Sequence, residues 1–165
     1  MSTIDSALAR EIKQTKPFGS VSEEAAIGLM RTADVIRRSF GAVVESEGIT
    51  VQQYNVLRIL RGAGERGLPT LEIADRLVEQ APGITRMIDR LIARKLAARE
   101  RCAEDRRIVY CAITGEGRKV VGRLDDPMLH ACRSALDPLD RGEQRTLMAM
   151  LDAIRAGDAG ETTEL

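Results

Sequence analysis

At Leu96 the hydrophobic period of this chain changes, and the change falls inside its most basic stretch. Before it, in PGITRMIDRLIARK, the apolar residues Ile84, Met87, Ile88, Leu91 and Ile92 recur at the three- and four-residue spacing of one helix face. After it, in RIVYCAIT, Val109, Cys111 and Ile113 alternate with Ile108, Tyr110 and Ala112, the two-residue spacing of a strand. Ala97 to Cys102 is the expected partner strand, joined through a turn over Ala103–Arg106. A helix that runs directly into a two-stranded hairpin restricts the fold to a helical unit carrying a small wing.

Charge gives that stretch its chemistry. Residues 81–114 hold eight basic side chains (Arg86, Arg90, Arg94, Lys95, Arg99, Arg101, Arg106, Arg107) against four acidic ones (Asp89, Glu100, Glu104, Asp105), a net +4 in a chain whose total is zero. Residues 1–50 carry −1, residues 51–115 +4 and residues 116–165 −3, so overall neutrality hides a positive middle. Thr85, Arg86, Asp89, Arg90, Ala93 and Arg94 share the helix side away from the apolar stripe. A positive helix beside a positive hairpin fits the major groove of double-stranded DNA and the minor groove next to it. The opposing reading is a solvated helix face paired through Asp89, together with a surface ion pair between Asp105 and Arg107 that is worth little.

The helix-and-hairpin unit has helices on both sides. Ser20 or Ser22 caps a helix with Glu23 and Glu24 in its first turn, where the dipole favours them, and with Ala26, Met30, Ala33, Ile36, Phe40 and Val43/Val44 at helical spacing to about Gly48. Thr50 caps the next, with Tyr54, Leu57 and Leu60 inward and Gly62 and Gly64 as its stop. Gly67-Leu68-Pro69-Thr70 reads as a loop ending in an N-cap, followed by a short helix with Leu71, Ala74, Leu77 and Val78 inward. Pro82 suits the first turn of the basic helix. Thr114 caps a long helix with Val120/Val121, Leu124, Met128 and Cys132 as its stripe and a kink expected at Pro127. Asp140 to Glu143 has capping-box spacing and opens a last helix with Leu147, Met150/Leu151 and Ile154.

The organisation read from this is a flexible N-terminal arm over 1–20, helical dimerisation segments over 21–48 and 115–156, a winged helix-turn-helix region over 49–114, and a frayed tail over 157–165. The fold class is mainly α with a small β-hairpin wing. The apolar stripes of the outer segments exceed what a small winged unit covers, and a symmetric homodimer would bury them. Such a dimer also sets two reading helices about one DNA turn, roughly 34 Å, apart on a pseudo-palindromic operator.

Other classes lack their residues. There is no Ser-His-Asp set, no G-x-G-x-x-G, no P-loop and no CxxC pair; one histidine, His130, makes no multi-histidine metal site. No enzyme activity, cofactor or metal is expected. No apolar run approaches the roughly 20 residues that span a bilayer. The opening MSTIDSALAREIKQTK lacks the apolar core of a signal peptide, so a cytoplasmic location without membrane contact is expected.

The segments ITVQQYNVLRIL, LPTLEIADRLVEQAPGITRMIDRLIARKLAARE, EDRRIVYCAIT and GEGRK, in this order over about 49–151, closely resemble the MarR (multiple antibiotic resistance regulator) family. Thr85-Arg86 with Asp89-Arg90-Leu91, and Asp105-Arg106-Arg107 followed by Thr114 and Gly117, carry the resemblance most specifically. It implies a homodimeric regulator that represses, or sometimes activates, nearby genes. It places Thr85 and Arg86 at the groove-facing start of the recognition helix, Arg107 in the minor groove, Asp105 as the carboxylate that orients it, and Arg106 on a phosphate. With Arg90, Arg94 and Lys95 these form the expected DNA-binding set. The family usually has Gly-Leu where this chain has Lys95-Leu96; a positive φ there costs a lysine about 1 kcal/mol relative to glycine.

Family members often bind small aromatic or lipophilic effectors between the dimer helices and the DNA-binding unit. Phe40, Tyr54 and His130 are the residues set against such a site here; the plainer reading makes Phe40 and Tyr54 core aromatics. Cys102, beside Arg101, is the one cysteine expected to be exposed, and a basic neighbour lowers a thiol pKa. The expected function is thus a sequence-specific repressor released by a small ligand. The alternatives are a thiol-based redox-responsive regulator and a winged-helix protein-interaction module without specific DNA binding.

Overall fold

The computed structural model describes residues 6–79, 83–101 and 108–158. In chain order the elements are α1 (Ala7–Glu11), α2 (Val21–Glu45), α3 (Val51–Gly62), β1 (Leu68–Pro69), α4 (Thr70–Asp75), α5 (Ile84–Ala93), β2 (Ala97–Arg101), β3 (Val109–Ile113), α6 (Gly115–Leu136) and α7 (Arg141–Asp158). None of the described helices is long and apolar enough to cross a membrane.

The helices begin where their caps are. The Ser20 hydroxyl accepts from Glu23 N at 3.0 Å. Thr50 and Gln53 form a reciprocal capping box, and Asp140 and Glu143 form another. Each satisfies backbone donors that a helix start leaves open. α6 runs unbroken through Pro127.

The core is built on α3. Val56, Leu57 and Leu60 are fully buried there, packed in one cluster with Ile73 of α4, Ile88 and Leu91 of α5, Cys111 and Ile113 of β3, and Val120, Val121 and Leu124 of α6. The amphipathic period of α5 and the alternation of β3 therefore meet on the same core, which is why the switch at Leu96 specifies the fold.

Three expectations are corrected. The sheet has three strands in the order β1-β3-β2, not two, because Leu68–Pro69 pairs with Cys111 and Tyr110. Two residues are too few to show alternation in the sequence; Gly67, at φ 71, has no Cβ to collide with the Cys111 carbonyl and so admits the pairing. α4 departs in part from its expected face: Ala74 and Leu77 are half-buried, but Ile73 is buried while Leu71, and Val78 beyond the helix, are 79% and 85% exposed. Pro69, not Thr70, stands at its N-cap position. Finally, the described part of the N-terminal arm is packed, since Ala9 and Phe18 are buried and Glu11 pairs with Arg31 of α2 at 2.7 Å.

α2 and α7 are incompletely covered by the rest of the chain. α2 buries only Val44 and leaves Val21, Met30 and Val35 exposed. α7 buries none of its described side chains and exposes Met148, Met150 and Ile154.

Candidate nucleic-acid interface

α5 is amphipathic over its whole length. Ile88 and Leu91 are buried and Ile84, Met87 and Ile92 half-buried, while Thr85, Arg86, Asp89 and Arg90 face solvent. The core side anchors the helix, and the outer side offers two guanidinium groups, Arg86 and Arg90, that pair with no acidic side chain among the described residues. The start of α5 follows Gly83, at φ 94. Pro82 and the wing-tip residues Cys102, Asp105, Arg106 and Arg107 lie outside the described residues, as does the turn over Ala103–Arg106.

Asp89 does not orient Arg86 or Arg90. It accepts from Arg99 Nη1 at 2.5 Å and so ties α5 to β2. Arg99 pairs in register with Cys111, placing it on the inward face of the strand with Val109 and Ile113.

Arg94 is also committed elsewhere. Its Nη1 donates to Gly48 O at 2.6 Å and its Nη2 to Glu47 O at 2.8 Å, at the carbonyl end of α2. Expected as a DNA contact, Arg94 is exposed and spans two backbone carbonyls of the turn after α2. Sequence spacing shows which face a side chain leaves from, but its reach across 46 residues of chain depends on packing.

Just past Arg94, the C-cap of α5, Lys95 turns the chain at φ 59. Leu96 N donates to Leu91 O at 2.9 Å and Lys95 N to Ile92 O at 2.8 Å, the paired bonds of a left-handed helix stop that normally takes glycine. Thr114 locks this stop to the next helix: its hydroxyl donates to Lys95 O at 2.7 Å and accepts from Gly117 N at 3.0 Å. Lys95→Gly is therefore expected to raise stability by about 1 kcal/mol, and the melting temperature by about 2–4 °C, read by thermal denaturation.

Two bidentate ion pairs hold the frame behind α5. Arg61 of α3 meets Asp125 of α6 at 2.7 and 2.9 Å, and Arg123 of α6 meets Glu47 at 2.7 and 2.8 Å. Arg61 lowers the Asp125 pKa through its hydrogen bonds, and Arg123 does the same to Glu47. A carboxyl depressed in the fold binds its proton less readily than in the unfolded chain, so both pairs stabilise fully above the ordinary values of 3.8 and 4.5 and lose that contribution as the pH falls through the folded values. Stability to urea is expected to drop as the pH falls below about 5, and the drop to be shallower in Glu47→Gln/Asp125→Asn.

A cavity of about 330 Å³ lies between α2, α3, the segment after α4, and α6. Phe40 and Tyr54 line it with Ile36, Val51, Leu77, Met128 and Cys132, and Tyr54 also belongs to the buried core against which Phe40 packs. Arg58 stands 5.9 Å from the centre of the Tyr54 ring, and Arg37 pairs with Glu79 at 2.9 Å on the rim. His130 is corrected: it is on the exposed side of α6 and does not line the cavity. Met128 and Cys132 do, and their place on the α6 stripe was the available sign. Cys111 is buried beneath the sheet and Cys132 half-buried. No group of three or more potential metal ligands occurs among the described residues.

A helix pair on a common core, its second helix exposing arginines and running into an antiparallel wing, defines a winged helix-turn-helix protein. Residues 47–108 match the model of the MarR family. A MarR transcription factor from Planctomyces limnophilus is 37% identical, with a TM-score of 0.64 over 82% of this chain and 98% of that one. BpsR of Bordetella bronchiseptica, whose DNA binding is regulated by 6-hydroxynicotinic acid, is 25% identical at a TM-score of 0.71 over 81% and 99%. The transcriptional repressor MdtR of Bacillus subtilis (strain 168) is 36% identical over 74 residues, 45% of this chain. The chain spans 63% and 46% of the length of the curated relatives it matches. This chain belongs to the MarR family of transcription regulators.

Proposed function

We propose that the protein is a cytoplasmic homodimeric repressor that reads a pseudo-palindromic operator through α5 and leaves it when a small effector occupies the cavity. The observation that carries the reading is the division of α5 into a packed side and a side with two arginines that pair with no acidic side chain among the described residues. Arg86, in the first turn, takes guanine O6 and N7 in the major groove, and Thr85 and Arg90 flank it. Lys95 and Arg106 hold phosphates, and Arg107, oriented by Asp105, enters the minor groove, where narrow grooves concentrate negative potential.

The uncovered apolar faces of α2 and α7 support the dimer, because a second copy would remove Met30, Met148, Met150 and Ile154 from water. The cavity supports the effector. Its wall is mostly apolar, Tyr54 and Phe40 supply aromatic surface, and Arg37 and Arg58 stand at its edge. A small aromatic or lipophilic molecule with an acidic group matches that lining, as it would match the relative that responds to 6-hydroxynicotinic acid. It releases DNA only by binding one spacing of the two reading helices better than the other.

The test is selection of duplexes from a random-sequence pool, followed by a mass measurement on the selected complex. An enriched two-fold motif bound by twice 18.1 kDa of protein is the expected result. No enrichment over random duplex, or a single chain on the DNA, contradicts the proposal.

A further inference from the structure

We propose that Arg94 is a positioning residue, fixing the tilt of the recognition helix against the frame rather than touching DNA. The inference rests on α5 being the reading helix.

Arg94 is the C-cap residue of α5. Its planar fork donates to two successive carbonyls, Glu47 O and Gly48 O, just beyond the end of α2, where the helix dipole favours a cation. The same Glu47 receives the Arg123 guanidinium on both carboxylate oxygens. One residue thus accepts Arg94 on its backbone and Arg123 on its side chain, and α5 is joined to α6 through two forked contacts. Gly48, at φ 63, shapes the turn so that both carbonyls are presented to Arg94. Thr114 makes a second join between the end of α5 and the start of α6, so the recognition helix is tied at its last turn to both long helices. A guanidinium spanning two carbonyls sets direction as well as distance, which an ammonium does not.

The experiment uses the full-length protein and a duplex it has selected from a random pool, with a scrambled duplex beside it. Affinity is measured from low to moderate salt for the wild type, Arg94→Gln, Arg94→Lys, Arg123→Gln and the double variant Arg94→Gln/Arg123→Gln, each checked for folding by circular dichroism. The expected result is about a tenfold loss on the selected duplex for Arg94→Gln, little change on the scrambled one, and an unchanged salt slope. Arg94→Lys behaves like Arg94→Gln, and the double variant loses no more than the worse single one. A salt slope shallower by about 0.9, with wild-type behaviour in Arg94→Lys, would make Arg94 a phosphate contact and overturn the proposal. A lower melting temperature with unchanged discrimination would also overturn it, by making the contact structural only. Arg86→Ala serves as the control for the reading helix itself: full discrimination in that variant would remove the premise, whatever Arg94 does.

Discussion

Alanine at Gly117 is expected to cost about 3 kcal/mol or more and to lower the melting temperature by roughly 6–12 °C. Gly117 is in the first turn of α6, packed against the stop that ends α5. A Cβ there would stand 2.1 Å from Leu96 O and 2.8 Å from Ile113 Cγ1. The first neighbour is backbone, held by the Thr114 amide at 3.1 Å, so it cannot swing aside as a flexible side-chain end would. Relief requires α6 to move off the α5–β2 turn, which breaks the Thr114 contacts and loosens the wing. Gly122, five residues on in the same helix, has nothing within 4 Å of its Cβ position. Alanine there is expected to stabilise by about 0.5–1 kcal/mol through helix propensity alone. Opposite signs at two glycines of one helix, read by urea denaturation, separate close packing from propensity.

The second large effect concerns discrimination. Arg86→Ala is expected to lower affinity for the selected duplex by about 10- to 100-fold, the equivalent of one bidentate base contact at ~1–3 kcal/mol. Affinity for random duplex should fall much less, because nonspecific binding is a sum over many phosphate contacts. Stability should hardly move, since Arg86 is exposed and bonds to no described residue. Loss of specificity without loss of stability is the pattern of a reading residue.

What could be read from the sequence followed from periodicity and caps. α5 and β3 have strong, clean periods, so their inward faces were assigned correctly; Thr50, Thr114 and Asp140 marked helix starts, and of the two serines open for α2 it is Ser20 that caps it. Lys95 stood out because a residue with a Cβ occupies a place where the chain must turn left-handed, and its φ of 59 bears that out. The failures have physical causes too. Leu71 and Val78 are apolar but exposed, so a short helix with apolar residues on several sides has no unique phase, and Ile73 was passed over. β1 is too short to show a period. The long-range partners of the arginines were the least legible: Arg94 to Glu47 and Gly48, Arg99 to Asp89 and Arg123 to Glu47 depend on how helices cross, which no local pattern carries.

The central claim is that the outer side of α5 reads base sequence from a frame anchored on its inner side. The most direct measurement is a competition titration in which wild type and Arg86→Ala bind a labelled selected duplex against unlabelled random duplex at one fixed salt concentration. The account predicts that the ratio of specific to random affinity falls by about 10- to 100-fold in the variant. A ratio equal to that of the wild type, with both proteins equally folded, would contradict it.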